Sequence, residues 1–299
     1  MKVFIETDIE GVAGFCFEAT RIAEPLRQDE YRRTISRLLT EEVKAAVEGA
    51  REAGAEEIVV HDGHGLGYNI LLEELPVEVG ICHGLSAYAP NWQAGLDRTF
   101  DAVLAVGGHV MKDTNGITPH TLFLVNGRLK LGEFHMTAAL AGWLGVPFVF
   151  ASGDATLGGQ LKALVPNLEY AAVKEALTPY YSKTLAPQKA RALIRSGVAR
   201  ALRRLKEIRP YKLPFPPPYE VGVLGSDYQD PRAIGRSNDF WEAVMQVLET
   251  IYYYDYARQD PWPLMHRGGP ILNRHVLLAR AAAEKSSARK PVGSRKKKK

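Results

Sequence analysis

The chain has 299 residues, enough for one large α/β domain or two smaller ones, and its 46% hydrophobic and 24% charged residues are ordinary for a soluble globular protein. The net charge of +4 arises in a C-terminal tail and not in the body, so it does not indicate a nucleic-acid-binding surface. The two cysteines, Cys16 and Cys82, argue against a disulfide framework, and no apolar stretch approaches the roughly 20 residues of a membrane span.

The first predicted strand begins at the N-terminus, where no signal-peptide pattern is present, so we predict a cytoplasmic protein with no membrane partner. This strand is a short apolar run that ends in acids and Gly11. Side chains alternate along a strand, which places Glu6, Asp8 and Glu10 on one side. Such acids either lie solvated at the rim of a sheet or hold a cation between them.

A long amphipathic helix is predicted at 29–54, with Gly54 as its stop signal, followed by a buried strand at 57–61 that ends in Asp62-Gly63-His64. Strand, helix and strand over this length form a βαβ unit, which implies parallel pairing with a right-handed crossover.

Further buried strands are predicted at 78–82, 102–106 and 147–151. Between the last two, a loop at 110–120 delivers His120, and Asn126-Gly127 is a strong hairpin signal. An apolar helix at 134–144 follows the hairpin directly. The fold class predicted from this order is α/β, with a mostly parallel sheet flanked by helices.

The C-terminal third is predicted to contain a basic-faced helix at 187–207, a strand near 219–224 and a helix near 238–250. A stiff Pro-rich segment at 213–218 is a candidate connector between them. We therefore predict a metal-binding catalytic domain at 1–212 and a smaller α/β part at 213–284 packed on it. The tail at 285–299 holds eight basic residues and no acid, so it is predicted to be disordered, with nucleic-acid binding less expected than a solvated tail.

Five residues converge on one edge of the predicted sheet. Asp8, Glu10, His64 and His109 follow the C-terminal ends of strands, where ligands bind in open parallel sheets, and Glu133 begins the helix after the hairpin. Each has another interpretation, such as a turn histidine or a helix-terminal glutamate. Together, two histidines and three carboxylates suit zinc or another divalent metal. Five ligands exceed what one catalytic zinc usually takes, which favours two bridged ions.

The same residues, with several neighbouring motifs, resemble a known family in their order and spacing across residues 1–155. They resemble the zinc-dependent D-aminopeptidases of the DppA type through Asp8-x-Glu10-Gly11, Asp62-x-His64-Gly65, Gly108-His109, His120-Thr121, Asn126-Gly127 with Gly132-Glu133, and Ser152-Gly153-Asp154.

The resemblance implies a di-zinc aminopeptidase, with manganese or cobalt as other possible metals, acting on N-terminal D-residues of small peptides. On this view Asp8 bridges the metals, Glu10, His64, His109 and Glu133 complete their shells, and His120 is the catalytic residue. The resemblance also implies self-association into a ring of ten subunits. Neither the substrate nor the ring follows from composition or spacing.

Two positions depart from the family pattern. Relatives carry a serine where this chain has Glu6, which either adds charge beside the metals or forms a salt bridge elsewhere. Relatives tend to carry an asparagine near His135, which is either a substrate contact or an ordinary buried or surface residue. The alternatives to an aminopeptidase are a two-metal phosphoesterase, another amidohydrolase, or a non-catalytic metal- or peptide-binding relative.

Overall fold

The computed structural model describes residues 1–65, 67–84, 93–224 and 234–255, with side chains up to residue 248. Its strands are β1 (Lys2–Thr7), β2 (Glu57–Asp62), β3 (Val79–Cys82), β4 (Ala102–Gly108), β5 (Leu122–Val125), β6 (Leu129–Leu131), β7 (Phe148–Asp154), β8 (Glu169–Thr178), β9 (Tyr181–Thr184), β10 (Tyr219–Leu224) and β11 (Ile234–Ser237). Its helices are α1 (Pro25–Glu52), α2 (Glu133–Leu144), α3 (Ala155–Leu164), α4 (Pro187–Arg203) and α5 (Phe240–Asp255). Within these residues, no helix is both long enough and apolar enough to cross a membrane.

The main sheet has the strand order β3-β2-β1-β4-β7-β8-β9, and all its pairs are parallel except β8 with β9. The predicted α/β class is therefore confirmed. Chain order reverses beside β1, because β2 and β3 lie on one side of it and β4 on the other. Such a switch point opens a crevice outside the carboxyl ends of the strands, which is where the predicted metal residues fall.

A second, antiparallel sheet has the order β11-β10-β5-β6. The Asn126-Gly127 hairpin supplies β5 and β6, as predicted, and Val221 of β10 pairs with Val125 of β5. This sheet thus takes strands from both sides of residue 213. The domain division at 213 stays a prediction, and the tail at 285–299 lies outside the described residues.

Helix α2 lies between two hydrophobic cores, which explains why it is apolar on nearly every side. Phe134 and Ala138 pack into the core of the main sheet, whereas Met136 and Leu140 pack against the second sheet and α5. A helix that is hydrophobic all round is expected when it is buried in this way. The position of Glu133, the first residue of α2, is therefore set by packing on both sides.

Helix α1 packs against α4, and the close contact depends on a glycine. A Cβ at position 49 would lie 2.3 Å from the carbonyl oxygen of Arg195. The rim of this contact carries ion pairs, among them Arg191 with Glu41 and Arg195 with Glu48. These pairs are partly to half exposed and contribute little, so burial of the apolar faces holds the helices together.

Several boundaries differ from the sequence predictions. Helix α1 begins at Pro25 and not at residue 29, because proline is favoured in the first helical turn. Helix α4 ends at Arg203 and is followed by a short 3-10 turn, and α5 continues through the aromatic run to Asp255. The sequence analysis did not predict β8, β9 or β11.

We predict that Gly49→Ala destabilises the fold by about 1–3 kcal/mol, because the added methyl group forces α1 and α4 apart. The matched control is Gly159→Ala in α3, where a Cβ meets nothing within 4 Å and helix propensity favours alanine by up to about 1 kcal/mol. Thermal and urea unfolding of both variants measures the difference. Equal stability of the two variants would refute the close-packing explanation.

Candidate metal centre

The loop after β1 meets the C-terminal end of β4, backbone to backbone, at the switch point of the main sheet. Asp8 N donates to Val106 O at 2.9 Å, and Gly11 N donates to Gly107 O at 2.7 Å. A Cβ at position 11 would lie 2.1 Å from Gly108 O, and Gly107 has a φ of 87°. Glycine is required at both places, by close approach at the first and by backbone conformation at the second. This contact places the residues after β1 beside those after β4.

Three carboxylates come together there. Asp8 and Glu10 are buried, and Glu133 at the start of α2 is largely so. Asp8 Oδ1 accepts a hydrogen bond from Ile9 N at 2.8 Å, whereas Asp8 Oδ2 is buried with no hydrogen-bond partner among the described residues. Buried carboxylates that lie beside one another require positive charge or protons to offset their repulsion and lost hydration.

Three histidines turn Nε2 toward these carboxylates: His64, His109 and His120. In each, Nδ1 is directed at an oxygen. His109 Nδ1 donates to Val110 O at 2.7 Å, and His120 Nδ1 donates to Thr118 O at 2.8 Å. His64 Nδ1 lies 3.4 Å from Oδ1 of Asn69. A carbonyl oxygen can only accept, so in the neutral form of each ring Nδ1 carries the proton and Nε2 has the lone pair that a metal would bind.

The distances arrange the five predicted ligands as two sets that share one carboxylate. His64 Nε2 lies 3.2 Å from Glu10 Oε1, and His109 Nε2 lies 3.4 Å from Glu133 Oε1 and 3.6 Å from Asp8 Oδ2. Asp8, Glu10 and His64 offer ligand atoms within 4.8 Å of one another, and so do Asp8, His109 and Glu133. The structure thus brings all five residues together, with Asp8 common to both sets.

His120 joins the same cluster, from the loop that precedes β5. Its Nε2 lies 3.6 Å from Glu133 Oε1 and 3.7 Å from Glu10 Oε1, and its ring stacks on that of His109 at 3.9 Å between centroids. A third possible ligand set consists of Glu10, His109 and His120, but it adds only His120 to residues already used.

The donor set fits divalent metal. Asp8 Oδ2 and His109 Nε2 are both buried without a hydrogen-bond partner in the described part of the chain, and a cation between them would satisfy both. Nitrogen and oxygen ligands with no thiolate suit zinc.

The pKa values of these groups in the metal-free protein also favour a cation at this site. Burial alone would lower the pKa of His64 and His109, but the adjacent carboxylates, chiefly Glu10 and Glu133 respectively, raise the pKa of His64 to about 10 and that of His109 to about 9. Burial and the charge of Glu10 raise the pKa of Asp8 well above its ordinary value. Without metal, protons therefore neutralise part of the cluster.

Asn69 is a site residue that the sequence analysis missed. Its side-chain amide donates to Asp62 Oδ1 at 2.8 Å and to His64 O at 2.7 Å, and Asp62 Oδ2 accepts from Asn69 N at 2.6 Å. Asp62 thus acts on His64 through Asn69. An asparagine five residues after a histidine gives no recognisable signal by itself.

The two departures from the family pattern have different surroundings. Glu6 Oε2 pairs with Nδ1 of buried His61 at 2.8 Å, so its charge is directed to the neighbouring strand. The pair with His61 is observed, and Glu6 also lies near the cluster, because burial and, to a smaller degree, the charge of Glu133 raise its pKa. His135 is buried in α2, and burial lowers its pKa to about 4, which keeps the imidazole neutral.

Comparison with known proteins places this arrangement in context. A family model described as D-aminopeptidase matches residues 1–234. A D-aminopeptidase of Bacillus subtilis (strain 168) is 30% identical over 223 residues, covering 73% of this chain and 79% of that one. A solved structure described as the Zn-dependent D-aminopeptidase DppA from Bacillus subtilis, a self-compartmentalizing protease, matches with a TM-score of 0.73 and 23% identity, over 87% of this chain and 99% of that chain.

We predict that zinc uptake by the metal-free protein at pH 7.5 releases at least two protons, because the imidazolium forms of His64 and His109 must lose theirs to bind and any proton held on Asp8 adds to the count. Titration calorimetry in two buffers of different ionisation enthalpy counts these protons. Asp8→Ala, which removes the shared carboxylate, serves as the comparison and should bind zinc far more weakly. A zinc-binding heat independent of buffer would contradict this picture.

Proposed function

Because the chain belongs to the D-aminopeptidase family, peptidase family M55, we propose that it is a di-zinc aminopeptidase that hydrolyses N-terminal D-residues from short peptides. The observation that supports the metal part is the pair of ligand sets sharing Asp8. Asp8 would bridge, Glu10 and His64 would hold one ion, and His109 and Glu133 the other. The zinc dependence named for the similar solved structure agrees with this donor set.

The ions would supply an activated water and polarise the scissile carbonyl. The chain's own part is to hold the ligands rigidly. The Nδ1 hydrogen bonds of His109 and His120 fix ring orientation and tautomer before substrate arrives. Burial of Asp8 and Glu10 excludes competing water and strengthens every charge interaction at the site.

His120 is the residue to which we assign proton transfer. The two ligand sets that share Asp8 do not need it, and its side chain is 29% exposed, against 1% for His109. Its Nε2, which carries the lone pair, can therefore take a proton from water and return it to the leaving amine. Stacking on His109 and the hydrogen bond to Thr118 O hold the ring in place.

We also propose that the chain assembles with copies of itself, as the description of the similar structure as self-compartmentalizing suggests. A ring of ten would have ten times the 33.1 kDa mass of one chain. Light scattering coupled to size exclusion distinguishes such a ring from a monomer or dimer.

The substrate proposal is tested by assaying matched D- and L-aminoacyl amides and dipeptides, with zinc, manganese or cobalt added to metal-free protein. We expect hydrolysis of D-aminoacyl substrates that requires a free N-terminal amine. Blocking that amine by acetylation is the control. Turnover of phosphate esters with none of the amides would identify a phosphoesterase instead, and metal uptake without any turnover would identify a binding protein.

We predict that His120→Ala lowers kcat by about 10²–10⁴-fold while the bound metal content stays at the wild-type level, because the imidazole transfers protons and does not hold an ion. Metal analysis and steady-state kinetics of the same preparation measure both quantities. In Asp8→Ala, by contrast, metal and activity should be lost together. Loss of metal in His120→Ala would make His120 a ligand and overturn the assignment.

A further inference from the structure

The segment that follows β1, residues 8–16, carries Asp8 and Glu10 and is called here the ligand loop. Its residues are largely buried although few of them belong to regular structure. A buried loop needs partners for its backbone groups, since an unpaired one costs free energy. Several of these partners come from one hairpin, β8–β9, which lies at the edge of the main sheet.

Lys174 of β8 is the central partner. Its ammonium donates to Glu10 O and to Phe15 O, each at 2.7 Å, so one side chain joins both ends of the turn that follows the metal-binding acids. The side chain lies over the Phe15 ring, 5.4 Å from the centroid, and the residue is only 3% exposed. Burying a lysine is costly, so these contacts must offset the lost hydration.

An irregularity in strand register places the lysine there. Gly153 of β7 pairs with Ala172, but Asp154 pairs with Lys174, so β8 has one extra residue at this point. As a result Val173 and Lys174 are both buried, where strict alternation would have exposed one of them. The register irregularity thus directs a basic side chain inward at the level of the ligand loop.

Other contacts fasten the same loop. Gly14 N donates to Thr184 Oγ1 of β9 at 3.1 Å, and Ala13 N donates to Oε1 of buried Glu42 at 2.9 Å. Burial raises the pKa of Glu42 to about 7, and its carboxyl group is the acid that acts most strongly on Lys174. The loop is therefore held from the hairpin on one side and from α1 on the other.

The hairpin also reaches the loop that carries His120. Thr118 N donates to Pro179 O, in the turn between β8 and β9, at 2.9 Å. Thr118 has a φ of 38°, which a β-branched residue adopts only under constraint. Its carbonyl oxygen accepts the hydrogen bond from His120 Nδ1. One hairpin thus contacts both the metal-binding loop and the proton-transfer loop.

We propose that Lys174 is a positioning residue for the metal centre, holding the main chain of Glu10 so that its carboxylate meets His64. The expected effect on catalysis rests on the proposed function. The effect of Lys174 on the conformation of the ligand loop does not, because it can be measured in the metal-free protein. Lys174 touches neither substrate nor metal in this scheme.

The test is Lys174→Met, which keeps the length and apolar stem of the side chain and removes its donors. Hydrogen exchange of the metal-free protein should speed up about tenfold or more at amides of the ligand loop, with little change in β1 and β4. The zinc dissociation constant, measured by chelator competition, should rise about 10–100-fold, as for other residues that support metal ligands. At saturating zinc, kcat should stay reduced while KM changes little.

The matched control is Lys183→Met on β9, an exposed lysine of the same hairpin, which should match wild type in all these measurements. If Lys174→Met does not fold, Thr184→Val is used instead. It removes the longer hydrogen bond from Gly14 N to Thr184 Oγ1 in the same loop and should give the same changes to a smaller degree. The absorption bands of the cobalt-substituted protein should also shift in Lys174→Met, or in Thr184→Val if that variant is used, and should stay unchanged in Lys183→Met.

Two results would overturn the proposal. One is wild-type exchange and zinc affinity in folded Lys174→Met. The other is faster exchange spread evenly over the main sheet, which would make Lys174 a general stabilising residue. If wild type hydrolyses no aminoacyl substrate, the proposed function fails, yet exchange and zinc affinity still decide the role of Lys174.

Discussion

The structure depends on confining three carboxylates, Asp8, Glu10 and Glu133, within one largely buried space. Their mutual repulsion and lost hydration are tolerable only with positive charge between them. The surrounding features serve this condition. Glycines let the loop after β1 meet the end of β4 without side chains between them, and each histidine has its Nδ1 directed at an oxygen so that Nε2 faces the acids. If the cluster holds metal as proposed, these groups are in place before the metal arrives.

The closeness of these residues could be predicted from the sequence because parallel sheets obey a simple rule. Residues at the carboxyl ends of strands face one crevice, so Asp8, His64 and His109 were expected together without knowledge of the strand order. The rule did not resolve Glu6. Alternation placed it beside Asp8, but the observed register sets Glu6 opposite His61 on β2, and the two side chains pair. Register between strands is a tertiary property that one strand's pattern does not contain.

What the sequence analysis missed depends on contacts distant in the chain. The β8 segment shows no clean alternation, because a register irregularity buries Val173 and Lys174 in succession. Lys174 therefore gave no sign of a link to Glu10, which lies far away in sequence. Asn69 likewise gives no signal in the sequence, since its importance comes from donating hydrogen bonds to both Asp62 and His64. Polar residues that support a site are recognisable only once their partners are known.

The pairing of β10 with β5 has a consequence for the order in which the chain folds. Helix α2, which begins with Glu133, packs against the second hydrophobic core. That packing is complete only after Val221 has paired with Val125 and α5 has packed. During synthesis these C-terminal segments emerge long after Asp8, His64 and His109. Non-local closure of this kind is slow because loop entropy must be overcome first. We therefore expect Glu133 to be the last of the five acids and histidines to reach its place, so that the proposed metal centre is completed near the end of folding.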